Sequence, residues 1–142
     1  MVDVGAKAAT ERVAVAKGVI RMQAATARRL RRGPVEKGDV LAAARLAGVM
    51  AVKRTPDLIP LCHPILITGA SVELAVGKDR VEISATVKSQ GQTGVEMEAL
   101  TAVCAAGLTI YDMLKSIDRA MRIERVRLVR KSGGKSGLFL QK

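Results

Sequence analysis

The sequence predicts an α+β fold: a ferredoxin-like antiparallel sheet, packed by helices on one face, with an N-terminal strand/helix addition. Three observations lead there. Apolar and polar residues alternate along residues 11–20, 71–76 and 80–87, the period of a half-buried strand. Only Gly77-Lys78-Asp79 separates the second and third of these stretches, which makes them a hairpin. The resulting order of strand, helix, helix, hairpin, long helix, strand suits a βαββαβ unit with helices on one side of its sheet.

Each element follows from local chemistry. Residues 11–20 form the first strand. Residues 23–32 are rich in Ala and Arg and read as a helix, which Gly33-Pro34 stops. A second helix runs over 38–52, with Asp39 in its first turn favouring the positive end of the helix dipole. Its positions Val40, Leu41, Ala44, Ala47 and Gly48 recur at helical spacing, and the small ones allow close packing. Residues 54–64 hold three of the four prolines. Each removes a backbone donor and pushes the preceding residue away from helical angles, so a rigid non-repetitive loop is expected. After the hairpin a long helix spans 94–117, apolar nearly all round and therefore expected to be buried. The last strand covers 123–129 and leads into a Gly- and Lys-rich tail. No repeat, low-complexity segment or linker divides the chain, and residues 1–142 are read as a single domain.

Composition narrows the function. The chain has 24 Lys and Arg against 13 Asp and Glu, a formal charge of +11, so its partner is expected to be an anion. Tyr111 and Phe139 are the only aromatics. That leaves almost nothing on which single-stranded bases could stack, and it favours a compact polyphosphate over nucleic acid. The uncharged stretch 99–111 is short of the roughly 20 residues that span a bilayer, and residues 1–4 lack a signal peptide's basic and apolar regions. A reduced, cytoplasmic protein without membrane contact is expected. Cys62 and Cys104 lie in apolar surroundings and read first as small buried hydrophobes.

Chemistry concentrates in four places. On the long helix Glu98, Thr101, Thr109, Asp112 and Ser116 share one stripe, with Lys115 at its edge, three residues from Asp112. Such charges are either an ion pair on a solvated helix end or working groups. Glu98 and Asp112 are 14 residues apart, or about 21 Å along the axis, which calls for a long ligand or, preferably, two pockets shared between subunits. The single histidine, His63, can serve a ligand as hydrogen-bond donor, acid or base, or be a satisfied core residue. Its neighbour Cys62 cannot join it on one metal in the usual chelate geometry, so no metal site is expected. Lys37 stands at the entry to the second helix, where an anion can sit. Residues 131–137, Lys-Ser-Gly-Gly-Lys-Ser-Gly, lack the first glycine and following helix of a P-loop. They can still bring backbone N–H groups and ammonium charge to phosphate, or form a flexible terminus.

Six stretches occur together: Met1-Val2-Asp3-Val4, Lys37-Gly38-Asp39-Val40, Leu58-Ile59-Pro60-Leu61-Cys62-His63-Pro64, Thr93-Gly94-Val95-Glu96-Met97-Glu98-Ala99-Leu100, Leu108-Thr109-Ile110-Tyr111-Asp112-Met113 and Lys131-Ser132-Gly133-Gly134-Lys135-Ser136-Gly137. In this order, across nearly the whole chain, they resemble the MoaC family, the cyclic pyranopterin monophosphate synthases of molybdenum cofactor biosynthesis. The resemblance implies a lyase that converts 3′,8-cyclo-7,8-dihydro-GTP to cyclic pyranopterin monophosphate and diphosphate. It implies Asp112, Lys115 and Lys37 as catalytic residues. Leu61, Cys62, His63, Met97 and Glu98 would bind substrate, together with Glu96, Lys131 and Lys135. It further implies a homohexamer, a trimer of dimers with active sites at the dimer interface. No resident cofactor is expected; Mg²⁺ would accompany the triphosphate. A nucleotide sensor without turnover and a basic nucleic-acid-binding module are the competing classes.

Overall fold

β1 (Thr10–Arg21) is followed by α1 (Ala24–Arg31), α2 (Val40–Leu58), β2 (Ile67–Val76), β3 (Arg80–Gly91), α3 (Glu96–Leu114), β4 (Arg122–Ser132) and β5 (Phe139–Leu140). These elements come from a computed structural model that describes residues 1–141. The strands form one sheet in the order β2-β3-β1-β4-β5, and every neighbouring pair is antiparallel. Its first four strands have the ferredoxin-like order. The expected N-terminal strand and helix resolve into β1, an inner strand of this core sheet, and α1, a helix added to the crossover between β1 and β2.

The alternation in β1 has a direct structural meaning. Arg12, Ala14, Ala16, Gly18 and Ile20 are buried on one face, and Val81, Ile83, Ala85, Val87 and Ser89 of β3 line up beside them. α2 and α3 pack on that face, with Val103, Ile110 and Leu114 fully buried. The small residues of α2 do allow close packing. A methyl group on Gly48 would stand 2.8 Å from Val72 and 3.1 Å from the Ala102 carbonyl.

Two expectations need correction. Residues 54–58 belong to α2 rather than to the rigid loop, and the helix contains Pro56. Thr55 is fully buried, and its hydroxyl donates to the Ala51 carbonyl. Burial of this turn outweighs the local cost of the proline, which sits in the last turn, so that little helix lies beyond any kink it imposes. The proline-rich connection therefore begins at Ile59. The long helix is also not buried all round. Met97, Cys104 and Leu108 face outward and are exposed, because the sheet covers only one side of α3. Cys104 is thus no core residue, while Cys62 is half-buried.

Candidate active site

The charged groups of α3 gather at its two ends. At the C-terminal end Asp112 lies between two lysines. Lys115 Nζ donates to Asp112 Oδ1 at 2.7 Å, and Lys37 Nζ donates to Asp112 Oδ2 at 2.7 Å and to the Asp112 carbonyl at 3.2 Å. The three side chains remain about half exposed. The hydrogen bonds from Lys115 and then Lys37 hold the Asp112 carboxyl down to about 2. Lys115 is the C-cap of α3, one turn on from Asp112. Lys37 arrives from the turn that precedes Asp39, the N-cap of α2, whose side chain accepts from the Ala42 N–H. The pair expected from the sequence is therefore a triad with a member 75 residues away.

Glu96, Glu98 and Met97 stand in the first turn of α3, where the helix dipole favours negative charge. Glu98 is buried and forms no ion pair among the described residues. Burial pushes its carboxyl up, its own backbone N–H opposes that, and the charge of Glu96 adds to the rise. The Cys62 thiol is also pushed up, by burial first and by the Glu98 charge second. His63 is half-buried beside it in sequence, whereas Leu61 is 70% exposed. Glu96 pairs with Lys131 Nζ at 3.5 Å.

Lys131 and Lys135 contribute to an open basin of about 920 Å³, whose walls also include Lys7, Arg12, Thr93 and Glu96. Arg12 escaped the sequence reading. It is nearly buried, and its guanidinium donates to the carbonyls of Gly91 and Gln92, both at 3.2 Å. A charged residue on the inward register of β1 was the available signal. The 131–137 segment is no loose tail: β4 extends through Ser132, and the segment turns back over β1. There Gly133 and Gly134 have positive φ of 99° and 70°. A Cβ on Gly133 would come within 2.1 Å of the Glu11 carbonyl, and one on Gly134 within 1.7 Å of Arg12.

One copy of the chain thus carries a Lys–Asp–Lys centre and, about 21 Å along α3, a basin with three lysines, an arginine and two carboxyls at its rim and nearby. The first can hold and move protons beside fixed positive charge. The second suits a polyanion.

Residues 1–134 match the sequence profile described as the MoaC family. The chain belongs to the MoaC family. The match extends over both ends of α3 and through Gly134. A MoaC relative from Roseiflexus sp. strain RS-1, named cyclic pyranopterin monophosphate synthase, is 62% identical over 142 residues, covering 99% of this chain and 90% of its own. Proteins of the same name from Rhodospirillum rubrum (58% identical, 98% of this chain, 85% of theirs) and Thermoanaerobacter pseudethanolicus (57%, 98% and 89%) agree.

Proposed function

We propose that this chain is a cyclic pyranopterin monophosphate synthase. It converts 3′,8-cyclo-7,8-dihydro-GTP to cyclic pyranopterin monophosphate with release of diphosphate. Family membership at 62% identity over nearly the full chain carries this reading, and the Lys37–Asp112–Lys115 centre gives it chemistry. Opening a purine-derived ring and closing a pterin requires proton transfer at carbon, nitrogen and oxygen. Asp112 holds two ammonium groups at 2.7 Å. Either ammonium can give a proton to the rearranging ring, and fixed positive charge next to it stabilises developing anions. Lys131, Lys135 and His63 hold the phosphates, and loss of diphosphate accompanies closure of the cyclic phosphate. Glu98, a buried carboxyl whose proton affinity is raised by that burial, joins the substrate-binding residues. Leu61, Cys62, Met97 and Glu96 shape the rest of the pocket.

The two clusters are too far apart on one helix for a compact substrate. In the proposed assembly, a homohexamer built as a trimer of dimers, the basin of one protomer meets the Lys–Asp–Lys centre of its partner. Exposed Leu46, Met50, Met97 and Leu108 on α2 and α3 support burial of this helical layer between copies. The enzyme acts in the cytoplasm and needs no resident cofactor. Mg²⁺ enters with the triphosphate, since the carboxylates stand at opposite ends of α3 rather than in one cage.

The test is to incubate the protein with the cyclised triphosphate and follow diphosphate and pterin together. The reading predicts both products in equal amounts. Tight binding with neither product would instead indicate a nucleotide sensor.

A further inference from the structure

Asp118 lies four residues beyond α3 and is 3% exposed, a buried carboxylate to which the proposed chemistry gives no role. Both of its oxygens accept hydrogen bonds within the fold. Oδ2 accepts from the Gln23 N–H at 2.8 Å and from Thr26 Oγ1 at 3.1 Å, and Oδ1 accepts from the Ala120 N–H at 3.1 Å. Gln23 is the N-cap of α1 and supplies no side-chain cap of its own. Asp118 therefore caps α1 from 95 residues away in sequence, placing a negative charge where the dipole of α1 favours one.

The same residue closes the end of α3. Its N–H and that of Ile117 donate to the Leu114 carbonyl at 3.0 and 2.8 Å, and Tyr111 Oη donates to the Arg119 carbonyl at 3.1 Å. The turn fixed in this way follows directly on Lys115. At its other end α1 leads to Lys37. Arg29 of α1 donates to the carbonyls of Gly33 and Pro34 at 3.2 and 2.9 Å. Val35 and Gly38 then exchange reciprocal backbone hydrogen bonds of 3.0 and 2.9 Å, with Lys37 in the turn between them. A continuous set of hydrogen bonds thus runs from the Lys115 turn through Asp118, α1 and Arg29 to Lys37.

We infer that Asp118 is a positioning residue: its buried carboxylate locks α1 to the turn after α3, so that Lys37 and Lys115 meet on Asp112 in register. The inference rests on the reading of that centre as catalytic. Asp118 touches none of the three residues and acts only through the elements that carry them. Loss of its charge loosens Lys37 from Asp112 first, because Lys37 depends on the longer path. Misplacement of a reacting group by about 1 Å can cost up to about a hundredfold in rate.

The test is Asp118→Asn, which keeps the shape but cannot accept three hydrogen bonds with one oxygen. The titration of Asp112 is read by carbon-detected NMR, and kcat and KM for pterin formation are measured alongside. The expected result is a rise of about one unit in the Asp112 pKa, the effect of losing one cationic neighbour. kcat should fall about tenfold with KM within about twofold, the sign of lost positioning rather than lost binding. Arg29→Gln should move both in the same direction by less. A folded Asp118→Asn protein with the Asp112 titration and kcat unchanged would overturn the inference. Should Asp118→Asn fail to fold, Thr26→Val removes one donor and leaves the carboxylate, and an unmoved Asp112 titration there would overturn it equally. A raised Asp112 pKa with undiminished kcat would contradict the catalytic reading of the centre, and with it any role for Asp118 in the reaction.

Discussion

Asp112 keeps two ammonium groups at 2.7 Å while more than half of its side chain is open to water. Exposed ion pairs add little to stability, so the arrangement is better understood through what it does to protons and phosphates. Lys115→Ala and Lys37→Ala should each lower turnover by about a hundredfold or more while moving the melting temperature by less than about 4 °C. The Asp112 carboxyl should rise from about 2 toward its ordinary 3.8 in either variant, which NMR titration reads directly. A depressed folded-state pKa adds stability that is complete above 3.8 and is lost as pH falls toward 2. Glu98 has the opposite sign. Its raised pKa makes the folded state bind the proton more tightly, so the cost of its charge is absent at low pH and appears as pH rises above its ordinary 4.5. Glu98→Gln should therefore be more stable than the parent at pH 8, with the gain shrinking toward pH 4, and should turn over more slowly; denaturant unfolding at the two pH values checks the first part. At this scale spacing reveals the i, i+3 relation of Asp112 and Lys115, whereas Lys37 joins them in the sequence only through the family resemblance. Lys37 reaches Asp112 only through tertiary packing, and Arg12 was hidden by being read as one polar step in an alternating strand.

The elements were legible where a single period decided them. β1 and the β2–β3 hairpin alternate strictly, and their register follows from which residues can be buried. α2 was read too short, since proline rules count local donors and cannot see the pocket that buries Thr55. The outward face of α3 was misread because an apolar helix surface looks the same in sequence whether a sheet or another subunit covers it. The sequence leaves residues 131–137 open between a phosphate-binding segment and a flexible terminus for a similar reason: glycine spacing does not say what approaches it. Gly133 and Gly134 both have positive φ; a Cβ on Gly133 would strike the Glu11 backbone carbonyl, and one on Gly134 would displace the Arg12 guanidinium. Gly133→Ala and Gly134→Ala should each destabilise by more than about 1 kcal/mol, visible as a lowered denaturation midpoint. Phosphate binding should weaken in both, since the displaced segment carries Lys135 and borders Lys131.

Across the whole molecule, a net charge of +11 and two charged clusters about 21 Å apart support the proposal of a polyanion bound between copies. Light scattering should give about six times the 15.0 kDa chain mass. Mixing Asp112→Ala with Lys131→Ala should restore about a quarter of the wild-type activity if the two clusters meet across a two-fold interface, because half of the random dimers then contain one intact site. No recovery after verified subunit exchange would place both clusters in sites of a single chain. The charge and the spacing were readable in the sequence. The partner surface was not, because nothing in one chain's periodicity tells solvent from a second copy. The most direct measurement remains simultaneous quantitation of diphosphate and pterin from the cyclised triphosphate, run in parallel on the wild-type protein and on folded Asp112→Ala. Equal yields of both products from the wild type, and neither from the variant, is the predicted result. Undiminished formation of both by Asp112→Ala would contradict the assignment of the Lys37–Asp112–Lys115 centre to catalysis.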